Sequence, residues 1–90
     1  MARFRKKPVV VEALQFDGAN HALVLAWATA LAGAGTMPIR VHETKRDSLI
    51  IDTLEGEHRA DPADWIICGV QGEFYPVKPA IFEATYEVVD

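Results

Sequence analysis

"GVQGEFYPVKP", Gly69 to Pro79, decides how this chain is read. Its two glycines fit either a loop that holds a phosphate or a hairpin between two strands. A phosphate loop needs successive free N–H groups at a helix N-terminus, usually with Lys-Ser/Thr after it. Here the β-forming run Glu73-Phe74-Tyr75 follows the second glycine instead. The spacing therefore predicts a two-residue turn at Gln71-Gly72, with Gly72 supplying the positive φ. Pro76 has no N–H to give to a ladder, so the strand it sits in is an edge or ends there. Pro79 is suited to the first position of a short helix, "PAIFEA".

Working upstream, "DWIICGV" reads as a buried strand and "DPAD" (Asp61–Asp64) as a turn with Pro62 presetting φ. Asp64 is expected to cap that turn through its own side chain. "SLIIDTL" and "EHRA" read as a hairpin about a tight turn at Glu55-Gly56, and "PIRVHE" alternates with Ile39 and Val41 inward. "HALVLAWATALAGAG" is the main helix, with Asn20 as its N-cap and Gly33 and Gly35 as its stop. Stepping 100° per residue puts Leu23, Val24, Trp27 and Leu31 on one face and Ala22, Leu25, Ala26, Thr29 and Ala32 on the other. No charge falls anywhere on this helix, so its alanine side is expected to meet something other than water. "PVVVEALQF" (Pro8–Phe16) reads as a strand covered on two sides, and "TYEVV" as a closing strand. The joints between strands are too short for parallel crossovers. The expected class is α+β: one domain over residues 1–90, a small, mostly antiparallel bent sheet or half-open barrel. One main helix packs on it, with a short C-terminal helical turn.

The totals exclude several functions. Half of the 90 residues are hydrophobic, enough for one core. Arg3, Arg5, Lys6 and Lys7 place four positive charges at the start, so the net charge of −4 leaves the rest of the chain at −8. An acidic body is a poor general nucleic-acid binder. The basic start, "ARFRKKP", either touches phosphates or is a solvated strand end whose charges discourage edge pairing. A single cysteine, Cys68, forms no internal disulfide and suits a reducing compartment. It lies among isoleucines, where a thiol acts as a small hydrophobe. No apolar h-region follows the basic residues, and the helix is too short to span a bilayer, so neither a signal peptide nor a membrane segment is expected.

Chemistry-bearing residues are sparse. His21, His42 and His58 show no metal-ligand spacing, and Asp61 with Asp64 supplies too few ligands for a divalent ion, so no metal or other cofactor is expected. No nucleophile–base arrangement stands out, and no catalytic residue is assigned. The candidate ligand- or partner-binding residues are Glu12, Trp65, Glu73, Tyr75 and Lys78. Glu12 interrupts an apolar strand: it is either a buried carboxylate partnered from the basic start, or it points outward at a sheet edge. Glu73 and Tyr75 share a strand face and, with Lys78, either line an exposed groove or are a solvated hairpin tip.

"RKKPVVVEALQF" at the start and "TLEGEHRADPADWIICGVQGEFYPVKPAIFEATYE" at the end resemble a family of small proteins of tailed bacteriophages and prophages. The resemblance covers about half of the chain. It implies phage origin and a host bacterial cytoplasm, and it implies no particular activity. Two positions depart from the family pattern. Ala63 stands where the module usually has glycine, and Val77 where many members carry cysteine, which argues against a working thiol there. The resulting expectation is a non-enzymatic binding module that associates with itself or with a host or phage protein. A homo-oligomer is expected, with Ala22, Ala26, Thr29 and Ala30 near the contact. The alternative is capture of a small anionic, nucleotide-type ligand where Arg or Lys converges with Trp65, Tyr75 or Phe4.

Overall fold

A computed structural model describes residues 1–5, 7–33 and 35–89 of the chain. Among them are six strands and two helices, in the order β1 (Glu12–Gln15), α1 (His21–Ala32), β2 (Ile39–Val41), β3 (Leu49–Thr53), β4 (Gly56–Ala60), β5 (Trp65–Cys68), β6 (Phe74–Val77) and α2 (Pro79–Thr85). The α+β class, the antiparallel pairing, the main helix and the short C-terminal helix are as the sequence led us to expect. The strands divide into two three-stranded sheets, ordered β1-β5-β6 and β2-β3-β4. Both are antiparallel throughout.

The principal core lies where the two sheets and α1 meet. Ile39, Leu49, Ile51 and Ala60 enter from one sheet, Ile66 and Phe74 from the other, and Val24 and Ala28 from α1. Phe16, fully buried, follows β1 into the same space. Each fully buried aliphatic or aromatic side chain stabilises the fold by roughly 1.5–3 kcal/mol relative to exposure. Ile67 is just as buried as its neighbour Ile66, yet it lies outside this cluster. Successive strand residues point to opposite faces. The outer face of the β1-β5-β6 sheet therefore has a cover of its own, and α2 provides it. Phe82 of α2 stacks on Trp65 at 4.0 Å between ring centroids and on Tyr86 at 5.0 Å.

Several local expectations change. β1 is shorter than Pro8–Phe16 and is an edge strand; β5 is the central one. The cause is partner length: Glu12 pairs with Cys68, and β5 ends there at its hairpin. "TYEVV" forms no strand, since α2 runs to Thr85 and residues 86–89 pair with neither sheet. The β3–β4 turn is Leu54-Glu55, one residue earlier than expected, because Thr53 pairs with Gly56. Thr53 fixes it by donating its hydroxyl to the Gly56 carbonyl at 2.8 Å and accepting the Glu55 N–H at 3.1 Å. The β5–β6 hairpin has three loop residues, Val70 to Gly72, rather than two. Gly69 N–H donates to the Glu73 carbonyl at 2.7 Å, and Gly72, at φ +81°, donates back to the Gly69 carbonyl at 3.0 Å. That is a tight turn followed by a left-handed glycine.

Asn20 sits at the N-cap position of α1 but does not cap it with its side chain. Its amide oxygen accepts the Asp17 N–H at 2.9 Å and its amide nitrogen donates to the Gln15 carbonyl at 2.9 Å, closing the β1–α1 turn. The buried face of α1 is Val24 and Ala28, with Leu25, Trp27 and Ala32 packed beside them. Leu23 and Leu31, which the helical period puts on one face with Val24 and Trp27, are 57% and 44% exposed, while Leu25 and Ala32 from the opposite face pack against the core. Gly33 ends the helix at φ +97°; Ala34, between the two expected stop glycines, lies outside the described residues.

Candidate functional site

The residues singled out from the sequence occupy four separate places. Glu12 is exposed at the edge of its sheet, so the outward-pointing reading holds. Trp65 is committed to stacking beneath Phe82. Lys78 joins a polar cluster at the junction of the two sheets. Only Glu73 and Tyr75 share a groove.

The Lys78 cluster is built on the Asp61–Asp64 turn between β4 and β5. Asp64 is almost wholly buried, and its carboxylate accepts the Asp61 N–H at 2.9 Å, as expected of a turn-capping aspartate. Lys78, the residue before α2, donates to the same oxygen at 2.9 Å. Asp61 accepts from the buried Ser48 hydroxyl at 2.9 Å and forms ion pairs with Arg59 at 3.0 Å and Lys78 at 3.6 Å. Burial disfavours the charged form of Asp61, but the Ser48 bond and the two cations outweigh it and hold the carboxyl below its ordinary value. Lys78 is held above its ordinary value, chiefly by the bond to Asp64. Every polar group here is answered by another protein group. The cluster clamps β3, β4, the turn and the β6–α2 joint together, and Lys78 is taken up by two carboxylates.

The groove containing Glu73 and Tyr75 has a volume of about 440 Å³. Lys7, Val9 and Val11 form one side, and Tyr75, Tyr86 and the β5–β6 hairpin form the other. The Tyr75 and Tyr86 hydroxyls stand 3.5 Å apart. Burial pushes the Tyr75 hydroxyl up, and the Tyr86 hydroxyl and the Glu73 charge push it further. The Glu73 carboxylate accepts the Gln71 N–H at 3.0 Å and folds over Gly69, where a Cβ would overlap it. The Cys68 thiol is raised by its burial and then by the Glu73 and Glu12 charges, which keeps it protonated and unreactive. Lys7 and Glu73 oppose each other in sign along this groove. Among the described residues, its lining offers one cation, Lys7, against the Glu73 carboxylate.

The alanine side of α1, expected from the sequence to meet a partner, is exposed at Ala22, Ala26, Thr29 and Ala30, and Leu23 and Leu31 are exposed with it. Sequence reasoning missed a second groove, of about 330 Å³, between the β3–β4 hairpin tip and β6. Leu54 and Glu55 face Glu73, Tyr75 and Pro76 across it. The missing charge on α1 was the legible signal for its surface; the groove needs two hairpins brought together and has no linear signature. The histidines lie apart: His21 Nε2 is 2.6 Å from the Arg46 carbonyl, and His42 Nδ1 accepts the Lys45 N–H at 3.0 Å. Among the described residues, no three His, Cys, Asp or Glu side chains gather as a metal-binding group, and no helix is long and apolar enough to cross a membrane. Comparison with protein-family models, curated proteins and solved structures finds no match to this chain.

Proposed function

We propose that this chain is an accessory protein of a phage or prophage, working in the host bacterial cytoplasm as a self-associating binding module without chemistry of its own. The observation that carries this reading is the outer face of α1. A twelve-residue helix on a small domain carries no charged side chain, and Leu23 and Leu31 stand exposed on it among alanines. Helix sides that meet water normally carry Lys or Glu; one that does not is suited to burial against another surface. Small side chains at Ala22, Ala26 and Ala30 let a second helix approach closely, and the same patch on a second copy is its natural complement.

Light scattering at micromolar concentration is the direct test. The expected result is a dimer or larger assembly that Ala26→Glu returns to monomer, with unchanged circular dichroism. A wild-type monomer across that range removes the reading.

A further inference from the structure

We infer that the basic N-terminal arm of one copy docks into the acidic groove between the β3–β4 hairpin and β6 of a second copy. The inference rests on the self-association reading for its partner, but it uses a different surface, since α1 takes no part.

The donor is residues 1–10. Every described residue in this stretch is exposed, and none belongs to a helix or strand; Lys6 lies outside the described residues. Phe4 is 94% exposed, with Arg3 and Arg5 on either side of it. A large ring held in water between two cations is an anchor with its electrostatic guides already attached. The arm does not use its own body for this purpose: residues 7–11 run along the neighbouring 440 Å³ groove, and Phe4 stays clear.

The acceptor is the 330 Å³ groove. Its apolar lining includes Leu54, which is 89% exposed at the hairpin tip, and Tyr75 and Pro76 from β6. Among the described residues, its charged lining is Glu55 and Glu73, with His58 beside them and no lysine or arginine. The match is chemical on both counts. The Phe4 ring has an apolar floor to enter, and the long Arg3 and Arg5 side chains reach the exposed Glu55 at the hairpin tip, with the hairpin-bound Glu73 adding negative charge behind it. The same separation of charge appears in the whole chain, four positive charges at the start against −8 in the rest. Such an arrangement steers unlike ends of two copies together and repels like ones.

Photocrosslinking tests the contact. Phe4 is replaced by p-benzoylphenylalanine in unlabelled chain, which is mixed with ¹⁵N-labelled wild-type chain, irradiated and mapped by mass spectrometry. The expected result is a mixed-isotope cross-link from position 4 to residues 53–58 or 73–76. Arg3→Glu/Arg5→Glu in the donor should lower the yield about tenfold or more. A Glu55→Arg acceptor, changed at an exposed turn position, should restore it with that donor. Higher salt should weaken the wild-type cross-link. Cross-links confined to one chain, cross-links to other surfaces, or none would overturn the inference. An assembly seen by light scattering without the position-4 cross-link overturns the arm contact and leaves the α1 reading standing. A cross-link that persists in Ala26→Glu chains supports the arm contact whether or not the α1 reading holds.

Discussion

Ala63 occupies a backbone position that a side chain seldom takes. Its φ is +79°, in the turn closed by the Asp64 N–H on the Asp61 carbonyl at 3.0 Å. Glycine takes such a φ without a steric penalty. The left-handed conformation costs an L-residue roughly 1–2 kcal/mol, partly offset by the unfolded-chain entropy that alanine saves. Ala63→Gly is therefore expected to stabilise the protein by about 0.5–1 kcal/mol, read as a higher urea midpoint at unchanged slope. Asp61, next to that turn, sets an acid limit. Its carboxyl titrates lower in the fold than in the unfolded chain. The stability it contributes is complete above the unfolded value, near pH 3.9, and is lost as pH falls through the folded one. Asp61→Asn should flatten the urea midpoint against pH below about pH 4. Lys78 has the opposite sign. Its ammonium is held above its ordinary value, so its contribution is complete at neutral pH and fades only as pH rises through the folded value in strong alkali. Lys78→Met leaves the buried Asp64 one partner short. A loss of about 1 kcal/mol is expected, discounted because Lys78 itself is largely solvated.

α2 illustrates what an element can be worth without burying any residue completely. Its Phe82 stacks on Trp65 and on Tyr86, on the sheet face that Trp65 shares with Ile67 by strand alternation. Phe82→Ala should cost about 2 kcal/mol and shift Trp65 emission to the red as the indole meets water. How much of this was legible varies by element. The hairpin at Gly69–Pro79, the α1 span and the Pro79 helix start could be read because glycine, proline and periodicity mark them locally. The inner face of α1 could not: a helix without charges has no polar side to give its orientation, and tertiary packing chose Val24 and Ala28. "TYEVV" has strand-forming composition, but such preference counts only where a neighbour offers a ladder. "WIIC" read as buried but hid a division, because two adjacent isoleucines serve opposite faces. Within the candidate site, Glu73 and Tyr75 could be placed together from strand alternation. Lys78 could not be assigned to Asp64, since the two are fourteen positions apart in sequence and meet only through a strand pairing.

The molecule as a whole is larger than its mass requires. Its radius of gyration is 13.8 Å, against about 12.2 Å for a compact 90-residue domain. Surface not used in folding is open to association, and the two proposed contacts respond to salt in opposite ways. An apolar helix contact holds or tightens in high sulfate, whereas a basic arm in an acidic groove loosens as charges are screened. Sedimentation velocity across a salt series should therefore show a change of assembly state, and Arg3→Glu/Arg5→Glu should abolish its salt-sensitive part. One further consequence concerns the two tryptophans. Trp27 meets Phe74 edge-on at 5.7 Å in the principal core, while Trp65 lies flat against Phe82 under α2. The chain thus carries one fluorophore in each of its hydrophobic compartments, on opposite sides of the same sheet. In Trp27→Phe and Trp65→Phe variants the remaining emission becomes a private record of one compartment. If α2 lifts before the rest of the protein melts, the Trp65 trace will move at lower denaturant than the Trp27 trace.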